Sequence, residues 1–145
     1  MDHVIPQTQN QTRRRKQARR GAAVTEFAMV APVFFLMAIG FIEFGRAMMV
    51  QEVLINASRV GARMASTTGS TTTAVQSAVT TYASSVAVPN VSVTVSPDPA
   101  TAAAGTAITV TATVPFNKVS WMHTPWFLGG KSLHANSQMR KEGYE

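Results

Sequence analysis

Residues 19–46, RRGAAVTEFAMVAPVFFLMAIGFIEFGR, join the end of a basic segment to a long apolar run. From Ala22 to Ile42 the only ionisable residue is Glu26. About 21 residues at a rise of 1.5 Å per residue give roughly 32 Å, close to the thickness of the hydrocarbon core of a bilayer. A segment that is apolar on every side has no core to fill in so short a chain. The run therefore predicts one transmembrane helix over residues 22–42.

Two residues of this helix are costly in a membrane. An acid in the bilayer costs about 2.5–3.5 kcal/mol on insertion scales, which makes Glu26 a candidate functional residue. The alternative is a carboxylate that snorkels to water at the headgroup boundary. Pro32 lacks an N–H and removes the helical hydrogen bond to the carbonyl of Ala28, which predicts a bend or a neighbouring helix there.

The net charge of +6 is concentrated in the first 20 residues, which contain six basic residues and one acid, Asp2. The basic residues are Arg13, Arg14, Arg15, Lys16, Arg19 and Arg20. They leave only +1 for the remainder, so the chain lacks the spread of cations that nucleic-acid binding needs. Basic residues stay on the cytoplasmic side, which predicts a cytoplasmic N-terminus and an extracytoplasmic segment over residues 43–145.

The sequence offers no support for catalysis or for a metal site. It contains no cysteine, which excludes disulfides and cysteine-ligated zinc. His123 and His134 are the only histidines after the basic leader, and no cluster of His, Asp and Glu has ligand spacing. No nucleophile elbow or phosphate loop is present. We predict a protein that is not an enzyme and has no cofactor, no metal, no small-molecule substrate and no nucleic-acid partner.

Beyond the span, helical spacing predicts that the helix continues as a stem over residues 43–66. The apolar line of the stem contains Ala47, Val50, Val53, Leu54, Ala57, Gly61 and Met64, and the polar line contains Glu52, Asn56, Arg59 and Arg63. Glu43 and Arg46 are three residues apart, which allows an ion pair within the helix. Small residues at Ala57, Gly61 and Ala65 would let another helix approach closely, either from this chain or from a neighbouring subunit.

The last 72 residues predict a small α+β domain over residues 74–145 after a Ser/Thr-rich linker at residues 67–73. Thr73 and Gln76 have the spacing of a capping box at the start of a helix near residues 74–87. Alternation of apolar and polar residues predicts strands at residues 91–95 and 108–114, and a weaker third strand at residues 133–139. One helix on an antiparallel sheet of about three strands is the expected architecture.

An aromatic cluster precedes the third strand: Trp121, Met122, Trp126 and Phe127. Trp and Met are enriched at protein interfaces, and Trp also at the membrane boundary, so Trp121, Trp126 and Phe127 are candidate partner contacts. The alternative is that these side chains close the core of a small domain.

Gly21, four small or apolar residues and then Glu26, after a basic leader and before an apolar helix, resemble the type IV prepilin processing pattern. The continuation is similar to the TadE-like family, small pseudopilins of tight-adherence (Flp-type) pilus systems. The residues that carry this resemblance are Glu26, Phe27, Pro32, Glu43, Phe44, Gly45, Arg46, Asn56, Ala57, Arg59, Gly61, Ala62 and Arg63.

The resemblance implies that a prepilin peptidase removes the leader, residues 1–21, by cutting between Gly21 and Ala22. The new amine of Ala22 would then attract the carboxylate of Glu26 on a neighbouring subunit, with Phe27 beside it. It also implies a minor pilin-like subunit in the bacterial inner membrane, whose partners are other pilins or pseudopilins and the pilus assembly machinery.

Two other interpretations of the N-terminus are compatible with the residues. An uncleaved single-pass anchor would carry an envelope binding or scaffold domain. A conventional signal peptide could be cut after Ala38-Ile39-Gly40, although the apolar run is longer than the usual 7–15 residues.

Overall fold

The structure, a computed structural model, describes residues 8–122 and 128–143, with side chains from residue 21 onward. Its main elements are α1 Thr8–Ser66, α2 Thr72–Ser85, β1 Ser92–Ser96, β2 Ala107–Pro115 and β3 Ser132–Arg140. The chain divides into two compact units, Met1–Ile39 and Gly40–Glu145. A long apolar helix before a second helix and a three-stranded antiparallel sheet confirms the predicted α+β fold class.

The second unit is built on the sheet, in which β2 lies between β1 and β3 and pairs with both in antiparallel fashion. Ala112 is opposite Val93 on one side and Ala135 on the other. Because side chains alternate along a strand, every second residue of β2 points to the same face. On that face Ile108, Val110, Ala112 and Val114 are buried, and the core forms there.

Both helices cover this face of the sheet, so the stem is part of the domain core. A Cβ added at Gly61 would lie 2.5 Å from Val79 of α2 and 2.9 Å from Val110 of β2. The hydroxyls of Ser58 and Ser137 are 2.8 Å apart, which joins α1 to β3. The small-residue line of the stem is therefore occupied by the chain's own domain.

The predicted apolar line of the stem is wrong at one position. Met64 is 38% exposed, whereas Ala62 and Ala65 are fully buried. In the last turns of α1 the buried face shifts toward Ala62 and Ser66. A step of three residues from Gly61 therefore reaches Met64, which lies outside the buried face.

Helix α2 begins earlier than the capping-box pattern indicated. Its N-cap is Thr71, whose side chain accepts a hydrogen bond of 3.2 Å from the backbone N–H of Ala74. Thr73 lies inside the first turn, and Gln76 donates instead to the carbonyl of Val93 in β1 at 3.1 Å. The Gln therefore joins helix to sheet and does not cap the helix.

The domain has two ends along α1. At the distal end the N–H of Glu142 donates to the carbonyl of Ser66 at 2.8 Å, and the ammonium of Lys141 donates to the carbonyl of Thr67 at 2.6 Å. The opposite end, where α1 enters the unit at Gly40, contains residues 40–49, 86–92, 115–122 and 128–132. We call this the proximal end.

Candidate functional site

The residues of the predicted processing site lie on an exposed part of α1. Gly21, Ala22 and Glu26 are exposed, and Phe27 exposes 70% of its area. The hydroxyl of Thr25 donates to the carbonyl of Gly21 at 3.0 Å, one helical turn back. A Cβ added at Gly21 would meet no atom within 4 Å. The fold therefore leaves this segment accessible to a partner.

The apolar helix that follows also faces outward. In the most apolar 18-residue window of α1 only 6% of the residues are buried. A core helix of a soluble domain would bury most of such a window, so the exposure favours contact with lipid. Pro32 is exposed and lies within α1, which continues on both sides of it.

The block of residues 43–46 divides between two surfaces of α1. Glu43 and Arg46 are 2% and 6% exposed, whereas Phe44 is 59% exposed and Gly45 is exposed. Residues three apart share a helix face, so both charged side chains face the domain while Phe44 faces away. The predicted ion pair between Glu43 and Arg46 stays a prediction.

Arg46 connects the stem to two loops at the proximal end. Its Nε donates to the carbonyl of Val119 at 2.8 Å, and its Nη2 donates to the carbonyl of Ala87 at 3.0 Å. The guanidinium carbon also lies 5.1 Å from the ring centroid of Trp121, within cation–π distance. One side chain thus holds the end of α2 and the segment after β2 against the stem.

The backbone of Ala87 places its carbonyl for this contact. Ala87 has φ of 61°, a left-handed conformation that costs about 1–2 kcal/mol outside glycine. The N–H groups of Ala87 and Val88 donate to Ser84 and Ala83, which ends α2 with a Schellman motif. Ala87 adopts this strained conformation at the position where its carbonyl accepts a hydrogen bond from Arg46. The contacts of Arg46 leave no local signal in the sequence, because the two loops are about 40 and 70 residues from Arg46 along the chain.

The predicted polar row of the stem is exposed at Glu52, Arg59 and Arg63 and half-buried at Asn56. The side-chain amide of Asn56 donates to Glu52 at 3.2 Å, and Arg59 donates to the carbonyl oxygen of that amide at 3.4 Å. Glu52, Asn56 and Arg59 are therefore joined by side-chain hydrogen bonds along the surface of the stem. Gly61 lies on the other side, in the contact of α1 with α2 and β2.

The aromatic and histidine predictions are only partly within the described residues. Trp121 is 69% exposed, whereas Trp126, Phe127 and His123 lie outside the part of the chain that the structure describes. His134 is exposed on β3. Among the described side chains, in residues 21–122 and 128–143, no group of three or more His, Asp or Glu could hold a metal ion.

The family resemblance has independent support. Residues 21–63 match the family model described as TadE-like protein, whereas no curated protein and no solved structure matches the chain. The match includes the exposed apolar part of α1 and nearly all of the stem, and α2 and the sheet lie beyond it. TadE-like proteins are structural, pilus-associated components, so the match supports a pilin-like role and a single-pass membrane anchor. Residues 21–63 of this chain are therefore similar to the TadE-like family, in agreement with the resemblance that the sequence indicated.

Proposed function

We propose that the chain is a minor pilin-like subunit for assembly of a tight-adherence pilus or secretion system. It is anchored in the bacterial inner membrane by residues 22–42, with the leader in the cytoplasm and the domain outside. A prepilin peptidase cuts after Gly21. The observation that carries this proposal is the TadE-like match that begins at Gly21 and includes the exposed Glu26 five residues later.

The leader and the mature chain have different electrostatic roles. The leader holds six of the 13 basic residues and five of the six net charges, which fix its orientation during insertion. Cleavage removes that charge and creates a single positive amine on Ala22. The mature helix then has one cation at its start and one acid at Glu26, a pair that hydrocarbon strengthens.

The pairing is proposed to occur between neighbouring subunits. Glu26 is exposed on its own chain, and so is Phe27, which leaves both side chains open to a second helix. A buried acid is tolerated when an opposite charge accompanies it. The charge pair therefore favours subunits that dock in one register along the helix.

Gly21→Leu is expected to block processing, because a bulky side chain occupies the position before the scissile bond. N-terminal sequencing of the full-length chain from cells with and without the peptidase measures the result. Gly45→Leu is the matched control, since a Cβ at either glycine meets no atom within 4 Å. We expect the control to begin at Ala22 and Gly21→Leu to retain its leader.

The N-terminal residue of the unaltered chain separates the alternatives. A start at Ala22 supports the pilin-like subunit. A start at Met1 in the presence of the peptidase would identify an uncleaved anchor with an envelope scaffold domain. A start at Phe41 would identify a secreted protein.

Glu26→Ala is expected to leave cleavage intact and to prevent docking. Breaking a buried charge pair costs about 3–5 kcal/mol, which is at least a hundredfold in an association constant. Recovery of the mature chain in the high-mass pilus-assembly fraction of solubilised membranes measures the loss. Glu52→Ala removes an exposed acid of the stem and should assemble normally. Normal recovery of Glu26→Ala would contradict the docking role.

A further inference from the structure

The outward surface of α1 stays apolar for about two turns beyond Ile42, where the sequence predicted the end of the span. We define the collar as five exposed apolar residues at this end of the span: Phe41, Phe44, Met48, Met49 and Trp121. Each exposes between 43 and 69% of its area. Glu43 and Arg46 interrupt this segment in the sequence, but the domain covers both. The sequence predicted that the span ends at Ile42 because Glu43 and Arg46 follow it, but neither charged side chain faces outward.

The length of this surface fits a membrane with its interfaces. From Ala22 to Met49 the helix contains about 28 residues and is about 42 Å long. The hydrocarbon core alone is about 30 Å thick, and the bilayer with its headgroup regions is about 40–45 Å thick. The helix that carries the collar is therefore long enough to extend through the outer headgroup region.

Exposed cations lie at the same end of the domain. Lys118 and Lys131 are exposed, and the N–H of Phe116 donates to the carbonyl of Lys131 at 2.9 Å, which brings the two loop segments together. The sequence contains no acid between Glu52 and Asp98 or between Asp98 and Glu142, so every loop at this end is free of carboxylates. The exposed loop charge is positive.

We propose that the collar is a lipid-binding surface that holds the proximal end of the domain in the outer headgroup region of an anionic membrane. Trp and other large apolar side chains favour that depth, and each lysine near an anionic surface adds to the attraction. In a two-fold contact between collars of two copies, Lys118 and Lys131 would meet the same lysines, which disfavours that arrangement. This inference rests on the membrane anchor of the proposed function.

Single-cysteine labelling of the full-length chain tests the proposal, because the chain has no native cysteine. An environment-sensitive fluorophore is placed on Phe34→Cys in the span, Met48→Cys in the collar or Met64→Cys further along the stem. Each variant is inserted into nanodiscs of phosphatidylglycerol that carry a quencher on the lipid headgroup or acyl chain. Met64 is the matched control, since it is also exposed on α1, about 24 Å beyond Met48.

We expect headgroup quenching to be several-fold stronger at Met48 than at Met64, and acyl-chain quenching to be strongest at Phe34. Equal quenching at Met48 and Met64 would overturn the collar while quenching at Phe34 preserves the anchor. Absence of quenching at Phe34 would overturn the anchor itself. A Met48 signal that is protected from lipid quenchers and depends on the number of chains per disc would identify a protein partner instead.

The charge contribution has its own test. Lys118→Glu with Lys131→Glu is expected to reduce headgroup quenching at Met48 in phosphatidylglycerol discs and not in phosphatidylcholine discs. Arg59→Glu with Arg63→Glu changes the charge by the same amount on the exposed stem and should have no effect. Equal quenching by all variants in both lipids would overturn the role of anionic headgroups.

Discussion

Arg46→Ala is expected to lower the free energy of unfolding by about 3 kcal/mol, since hydrogen bonds to a charged group contribute about 1.5–3 kcal/mol each and burial of the charge offsets part of that. The substitution removes the donors to Val119 and Ala87 and leaves both carbonyls without that partner. Denaturant unfolding of the full-length chain in detergent micelles, followed by near-ultraviolet circular dichroism, measures the change.

Two variants separate hydrogen bonding from other effects of Arg46. Arg46→Met keeps an unbranched side chain without donors, and Arg46→Lys keeps the charge but cannot reach two carbonyls with a planar fork. Both should be destabilised, with Arg46→Lys intermediate. Arg59→Ala, on the exposed side of α1, should change stability by less than about 0.5 kcal/mol. Native stability in Arg46→Met would show that the two hydrogen bonds contribute nothing.

Gly61→Ala is expected to destabilise the domain by about 2–3 kcal/mol, because an added methyl group overpacks the contact of α1 with α2 and β2. Its Cβ would lie 2.5 Å from Val79 and 2.9 Å from Val110, so two β-branched side chains on different elements must move. Thermal unfolding of the full-length chain in micelles measures the shift.

Gly45→Ala is the matched control because it lies in the same helix and has open space around it. Replacing glycine by alanine in an exposed helix stabilises by about 0.5–1 kcal/mol. The two substitutions should therefore have opposite signs. If Gly45→Ala lowered the stability as much as Gly61→Ala, the effect would come from the change of residue type in a helix and not from overpacking.

Local sequence patterns predicted the helices and strands, because the formation of a helix or strand depends on residues that are close together in the sequence. The alternation around Val110 and Ala135 identified strands that the structure confirms. The capping-box spacing failed because residues 71–73 are all threonine, and only the path of the chain into α2 makes Thr71 the N-cap.

Long-range contacts could not be predicted from these patterns. The small residues around Gly61 indicated a close neighbour, but the chain's own domain and a second subunit require the same small residues. The sequence indicated only Glu43 as a partner of Arg46, because nothing near Arg46 in the sequence indicates the carbonyls of Ala87 and Val119. Only the folded arrangement reveals those partners.

The inclusion of the stem in the domain core determines how a pulling force would enter the domain. Force applied at residue 40 acts first on α1, whose buried face packs against α2 and the sheet from Ala47 to Ala65. Many side-chain contacts in parallel would share that load before any single one yields. Force applied through the Ser/Thr-rich segment after Ser66 would instead reach the start of α2 and, through Thr67, the contact with Lys141. Within residues 40–145, the fold therefore spreads tension that enters α1 over the whole packed face of the domain.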